Sequence, residues 1–377
     1  MGSAATTICC GVAIGVSLLL PQTRTSGEQT APPVPVKPPA ATVAAPAVTY
    51  EPAWQKPIDS DSAIHLTVGP THLFVADAKS RLIAMSAADG AEVWWKDLPT
   101  DKRLATGDGM VFVVSGEKLY ALDEKTGAQR WIAAPVATTE GPTWSPGIVV
   151  FSSGVEIIAL RTADGSVIWH QNVRADSVAP LAVESGLVLT ALANRSIVAL
   201  DVVTGTVRKQ MLLGAQPSEL ATAANRLFFG AEDGFLYAYP LTSEDAAWAF
   251  PIRVKPIGAP VVDDRCVYAA FLDNTIRGFR RGPGTQCWSP RTLPGRPAAG
   301  PMLSGKMLVV PLTNADLVVV DTKDGRIRGP KPGETESPAS PAAATLQAIA
   351  ATPDVLSIYM VAVGDDQRRL LTARRRK

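Results

Sequence analysis

Ala121-Leu122-Asp123-Glu124-Lys125-Thr126-Gly127-Ala128-Gln129-Arg130-Trp131 is the stretch from which the fold can be read. An apolar strand runs into Asp-x-x-Thr-Gly, where the glycine supplies the positive φ that closes a hairpin, and the tryptophan four residues on lies in the returning strand. The pattern recurs. Ala84 to Trp94 carries Asp89-Gly90, and Ala159 to Trp169 carries Asp164-Gly165. Ala199 to Lys209 keeps Asp201, Thr204 and Gly205 but loses the tryptophan. Gly284 precedes Trp288, and Asp321, Asp324 and Gly325 precede Gly329. The fifth unit has Ser243-Glu244-Asp245 before Trp248 and no glycine. Counting Trp54 as the first slot, the steps are 40, 37, 38, 40, 39, 40 and 41 residues. A period near forty with one large aromatic per unit is the signature of a β-propeller, because each blade is a small sheet that cannot bury its face alone.

A second turn lies ahead of each such segment, flanked by β-branched and aromatic residues. Eight of these recur, from Val68-Gly69-Pro70-Thr71 to Ala351-Thr352-Pro353-Asp354, each followed by a strand such as Met110–Ser115 or Cys266–Phe271. After the eighth hairpin the chain ends without a Gly-x-x-x-Trp strand, while Tyr50-Glu51-Pro52-Ala53-Trp54 has no hairpin of its own ahead of it. The expected fold is therefore all-β: an eight-bladed propeller of four-stranded antiparallel blades over residues 50–377. The N-terminal strand completes the last blade and leaves no open edge between the first and last units.

Composition supports many short strands and tight turns, with 30 Gly, 31 Pro, 46% hydrophobic and only 19% charged residues. The net charge of +1 supplies no global field to recruit nucleic acid or an anionic membrane. The basic run Arg374 to Lys377 reads as a solvated terminus. Ile8 to Leu20 is apolar apart from Ser17 and is followed by polar residues, so residues 1–26 read as a signal-like or membrane-anchor segment and an extracytoplasmic location is expected. Residues 27–49 are rich in Pro, Ala and Val and form an extended spacer, either a tether or an inert leader. Residues 329–344, again rich in Pro and Ala, form a long loop between the seventh and eighth units, either a plain surface loop or a partner-binding segment.

The Ala-x-Asp-x-x-Thr-Gly-x-x-x-Trp repeats resemble the tryptophan-docking repeats of pyrroloquinoline-quinone-type propellers. Their eightfold count resembles the propeller lipoprotein of the outer-membrane β-barrel assembly machinery. The resemblance covers nearly everything from Tyr50 onward. It implies that Trp54, Trp94, Trp131, Trp169, Trp248 and Trp288 pack between neighbouring blades. It also implies an envelope scaffold that binds proteins, held to the membrane by its N-terminal segment. The enzyme branch of that family is implied to use a quinone, a calcium ion held by Glu, Asn and Asp, a catalytic Asp and a vicinal disulfide. The one vicinal pair in this chain, Cys9-Cys10, lies in the leader. No catalytic, cofactor or metal residue is assigned, with a quinone-dependent dehydrogenase or a small-molecule sensor as the alternatives.

The remaining chemistry-bearing residues are few. Cys266 and Cys287 fall on the second and fourth strands of one blade, a separation of about 9.5 Å in a regular sheet, and are expected to be buried thiols. His65 and His72 flank one hairpin and read as a surface pair, and no histidine has a partner at metal-ligand spacing. Arg103, Arg174, Arg253, Lys255 and Arg296 all fall where the outer strand of one blade returns to the inner strand of the next. That placement makes them either a cationic ring for an acidic partner or scattered solubilising charge.

Overall fold

A computed structural model describes residues 49–133, 138, 140–241, 247–328, 344–364 and 366–377. The leader and spacer up to residue 48, and all of the 329–344 loop except Ala344, lie outside the described residues. Within them, eight four-stranded sheets form, each with its strands in simple order. Blade one spans Ile64–Lys96, two Ala105–Ala133, three Thr143–Asn172 and four Ala182–Leu212. Blade five spans Ala221–Pro251, six Pro256–Thr292 and seven Met302–Arg328. Blade eight is made of Thr345–Ala351, Ser357–Val363 and Arg369–Arg376, with the N-terminal strand Tyr50–Ile58 as its outer strand. Tyr50 pairs with Arg376 and Ile58 with Arg369 in an antiparallel ladder, so the two ends of the chain close the ring as expected.

Each blade is sandwiched between two others, which sets the burial of its strands. The second strands are buried on both faces, as in Leu187–Ala191 and Cys266–Phe271, and so read as continuous apolar runs. The outer strands alternate, as in Glu92–Lys96, with one side turned to solvent. Five hairpins between second and third strands share one device: an Asn or Asp carboxyl or amide oxygen accepts the amide two residues on, as at Asn194–Ser196 and Asp273–Thr275. The residue between takes positive φ, 64° at Arg195 and 58° at Asn274.

Three sequence expectations are corrected. Cys266 and Cys287 are joined in a disulfide, with their Cα atoms 6.6 Å apart. The third strand of blade six is out of register with the fourth on both sides of Gly278, and this double bulge draws Cys287 toward the second strand, where a regular ladder would hold it away. The basic run at the C-terminus belongs to blade eight: Arg374 is buried, Arg375 Nη2 donates to Ala88 O at 2.8 Å, and Arg376 Nη1 donates to Ser304 Oγ at 2.9 Å. His65 and His72 do not pair. The ladder sets His65 opposite Ala76, whereas His72 is largely buried, with Nδ1 3.7 Å from Glu124 of blade two.

Candidate functional site

The strand order divides the ring's surface in two. One face carries the hairpins between second and third strands and the connections that lead from each outer strand into the next blade. The other carries the hairpins between first and second strands and the Asp-x-x-Thr-Gly turns. The two faces are called here the connection face and the turn face.

The six tryptophans lie at blade contacts on the turn side. Each indole Nε1 donates to a main-chain carbonyl of the following blade: Trp54 to Ala87 at 3.3 Å, Trp94 to Glu124 at 3.0 Å and Trp131 to Thr162 at 2.7 Å. Trp169 reaches Val202 at 2.9 Å, Trp248 reaches Arg281 at 3.0 Å and Trp288 reaches Thr322 at 3.2 Å. The ring lies flat on the glycine of that blade's turn. A Cβ at Gly165 would stand 2.7 Å from the Trp131 ring and one at Gly127 2.7 Å from Trp94, and both residues have φ near +70°, so glycine is required twice over. The acid of the turn is bound as tightly. Asp123 accepts from the amides of Lys125 and Thr126 and from Arg130 Nη2, and the guanidinium beside it pulls its carboxyl down to about 2. Asp201 is held down to about 2 by Arg208 in the same way.

Blade four has Lys209 in the tryptophan slot, and its Nζ donates to Pro240 O of blade five at 2.8 Å. The lysine thus makes the indole's hydrogen bond without the indole's bulk. Blade five supplies the bulk. Phe229 stacks on Tyr237 and Tyr239 with centroids 5.3 and 6.0 Å apart, and these rings pack against Met211 and Leu227 in one cluster across the contact. Burial and the Asp233 carboxylate push the Tyr237 phenol up to about 12, so it remains protonated and donates at 2.6 Å. Trp144, which lies outside the forty-residue series, lies flat on Gly107 of blade two. Its Nε1 donates to Asp108 at 3.1 Å, and Asp108 also accepts from Gly147 N and Thr162 Oγ1, tying blade two to blade three.

On the connection face, Arg103, Arg174, Arg253, Lys255 and Arg296 are all exposed and all precede the inner strand of a blade. Their backbones are pinned. Arg174 N donates to Asn172 Oδ1 at 2.9 Å and Arg253 N to Gly234 O at 2.7 Å, with φ of 65° and 62°. Lys255 O and Arg296 O accept amides from the neighbouring hairpins at Leu272 and Thr313. They occupy four separate connections, so the structure distributes them around the rim without gathering them into one cluster. Arg103 is already engaged: Nη2 donates to Glu219 Oε1 at 2.9 Å. Glu219 lies in a connection three blades away, which places this pair across the mouth of the central channel. Below it opens a cavity of about 350 Å³ lined by Thr67, Arg103, Thr106, Thr143, Trp144 and Leu181 among others. Burial lowers the pKa of His65 in the first strand of blade one, leaving its imidazole neutral at neutral pH. Among the described residues, no group of three or more His, Cys, Asp or Glu is arranged to hold a metal ion.

Comparison with known proteins agrees with this architecture. The sequence profile of the family described as outer membrane protein assembly factor BamB matches residues 41–177, 117–218 and 193–376. The BamB protein of Bordetella pertussis is 25% identical over 321 residues, which cover 77% of this chain and 81% of that protein. The crystal structure of BamB from Moraxella catarrhalis superposes with a TM-score of 0.66 at 18% identity, over 88% of this chain and 98% of that one. A quinohemoprotein alcohol dehydrogenase from Pseudomonas putida superposes with a TM-score of 0.63 at 14% identity, over 86% of this chain and 76% of its own. At such identities both structures show a shared fold alone.

Proposed function

We propose a function from one premise: the chain belongs to the family of the outer membrane protein assembly factor BamB. It is a non-catalytic binding scaffold of the cell envelope that assists the assembly of outer-membrane β-barrel proteins. The family match along almost the whole ring carries this reading. The Cys266–Cys287 disulfide supports the compartment, since structural disulfides persist where the environment is oxidising, as in a periplasm. In this reading residues 1–26 anchor or export the chain, residues 27–49 space the ring from the membrane, and the working partner is protein and not nucleic acid. The connection face is the docking face. Its cations are mounted on backbone fixed by hydrogen bonds, so presenting them to an acidic loop costs little conformational entropy.

Cross-linking mass spectrometry on the intact membrane fraction tests the reading. Links from Lys255 and from the loops around Arg103, Arg174 and Arg296 to a subunit of a β-barrel assembly complex are expected. Reproducible links to unrelated proteins alone would overturn it.

The channel cavity favours one second reading, a quinoprotein-like or sensor propeller with a small ligand below the Arg103–Glu219 pair. A ligand that binds only the folded state raises the melting temperature by mass action. A shift of several degrees with a quinone and calcium would support that reading, and an unchanged melting curve would remove the quinoprotein form of it.

A further inference from the structure

The turn face of blades six to eight carries a cluster of cations that no role above uses. Arg265 Nη2 donates to Thr322 O at 3.4 Å, Arg281 Nη1 to Asp263 O at 3.3 Å and Arg375 Nη2 to Ala88 O at 2.8 Å. Arg376 Nη1 donates to a hydroxyl, Ser304 Oγ. Carbonyl and hydroxyl oxygens orient a guanidinium but do not neutralise it. Lys306 and Lys323 stand exposed on the same face, at the first hairpin and the turn of blade seven. The acids nearby are mostly committed: Glu51 pairs with Lys377, and Asp324 pairs with Arg326. Asp263, Asp264 and Asp354, with Asp89 next to the Arg375 partner Ala88, remain against these six cations. The turn arginines are neutralised by carboxylates both within the sector, at Arg328–Asp321, and elsewhere on this face, at Arg130–Asp123 and Arg208–Asp201. The charge of a nearly neutral chain is thus unevenly placed, and the positive surplus lies on one sector of one face.

The point where the preceding residues join the ring lies in that sector. Lys377 N donates to Thr49 O at 3.0 Å, so the start of the propeller is fastened beside Arg375, Arg376 and Lys377. A chain anchored through its N-terminal segment is held by this corner. We propose that the turn face of blades six to eight docks on an anionic lipid surface, with Arg265, Lys306, Lys323 and Arg375 meeting phosphate headgroups. The proposal rests on the membrane-tether reading above. With the basic corner against the lipid, the connection face on the opposite side of the ring is turned away from the membrane, toward protein partners.

The test uses the full chain with vesicles of phosphatidylethanolamine alone and with vesicles containing 3:7 phosphatidylglycerol to phosphatidylethanolamine, read by lysine acylation and mass spectrometry. Sedimentation with the neutral vesicles reports the tether separately. The expected result is protection of Lys306 and Lys323 on the anionic vesicles only, lost at high salt, with Lys118 and Lys79 on the connection face unchanged. Each cation near an anionic surface contributes about fivefold in partitioning, so Lys306→Gln with Arg375→Gln should weaken protection by more than tenfold while leaving the melting temperature in place. Equal labelling of Lys306 on both vesicles overturns the proposal even where the tether holds. Protection on native membranes but not on protein-free anionic vesicles also overturns it, reassigning the patch to an acidic protein.

Discussion

Six contacts between blades are made by an indole laid on a glycine, while the contact between blades four and five is made by a lysine and a stack of three rings from the other side. Both arrangements meet the same two demands. A main-chain carbonyl of the next blade must receive a donor, and the gap between two sheets must be filled to close packing. In the six contacts one residue of the preceding blade meets both demands. At the seventh the tasks are divided, with Lys209 donating and Phe229, Tyr237 and Tyr239 filling. These seven contacts therefore share a hydrogen bond and a filled volume, and the residue that supplies them is interchangeable.

Substitutions should separate the two designs by size of effect. Trp169→Ala removes donor and volume together from a buried site and should cost about 3–5 kcal/mol, seen as a large fall in the urea midpoint. Blade six has a covalent supplement within its own sheet, and breaking the Cys266–Cys287 disulfide with paired serines should cost about 3 kcal/mol for a loop of this length. Reductant should lower the wild-type melting temperature to that of the variant and leave the variant unmoved. Lys209→Trp would place an indole where the tyrosines already fill the space and should destabilise by about 1–3 kcal/mol through overpacking. A gain in stability would show that the two designs can be merged. Lys209→Met keeps the aliphatic stem and loses only the donor, for about 1 kcal/mol.

Acid should act on the indole contacts selectively. Asp123 and Asp201 shape the turns that receive Trp94 and Trp169, and both carboxyls lie near 2, below the ordinary 3.8. A depressed carboxyl contributes stability that is complete above its unfolded value and is lost as pH falls through its folded value. Melting temperature should accordingly decline between about pH 4 and pH 2, and Asp123→Asn with Asp201→Asn should flatten that decline without altering the contact at Lys209.

The fold was legible because propeller repeats are local: a turn, a glycine and an aromatic at fixed spacing mark each blade, and the unpaired strand at Tyr50 indicated the closure. What was hidden depended on departures from regularity or on distance in sequence. The disulfide was excluded by a spacing that holds only for an unbulged ladder, and Gly278 lies where the ladder is bulged. The basic terminus looked like a solvated tail because nothing local shows that Arg374 becomes an inward residue of a closing strand. The five rim cations were visible, but the carboxylate engaging Arg103 is 116 residues away, at a place that only the ring's curvature brings near. Trp144 was passed over because it breaks the period, although its indole ties two blades together.

The pairing of Tyr50 with Arg376 also sets the order in which the molecule can be completed. All other strand pairs in the ring join neighbours within a single repeat, so seven blades are free to form as soon as their own residues are available. The last joins the two ends of the chain, and gathering about three hundred residues into one loop carries an entropic cost of roughly 5 kcal/mol unless the intervening blades have already folded and curved the ends together. A chain delivered from its N-terminus must carry its first strand unpaired until the final residues arrive. During that interval the ring is an open arc with an exposed edge at each end, and the speed of delivery, more than the strength of any one contact, decides how long the arc is open to pairing with another chain.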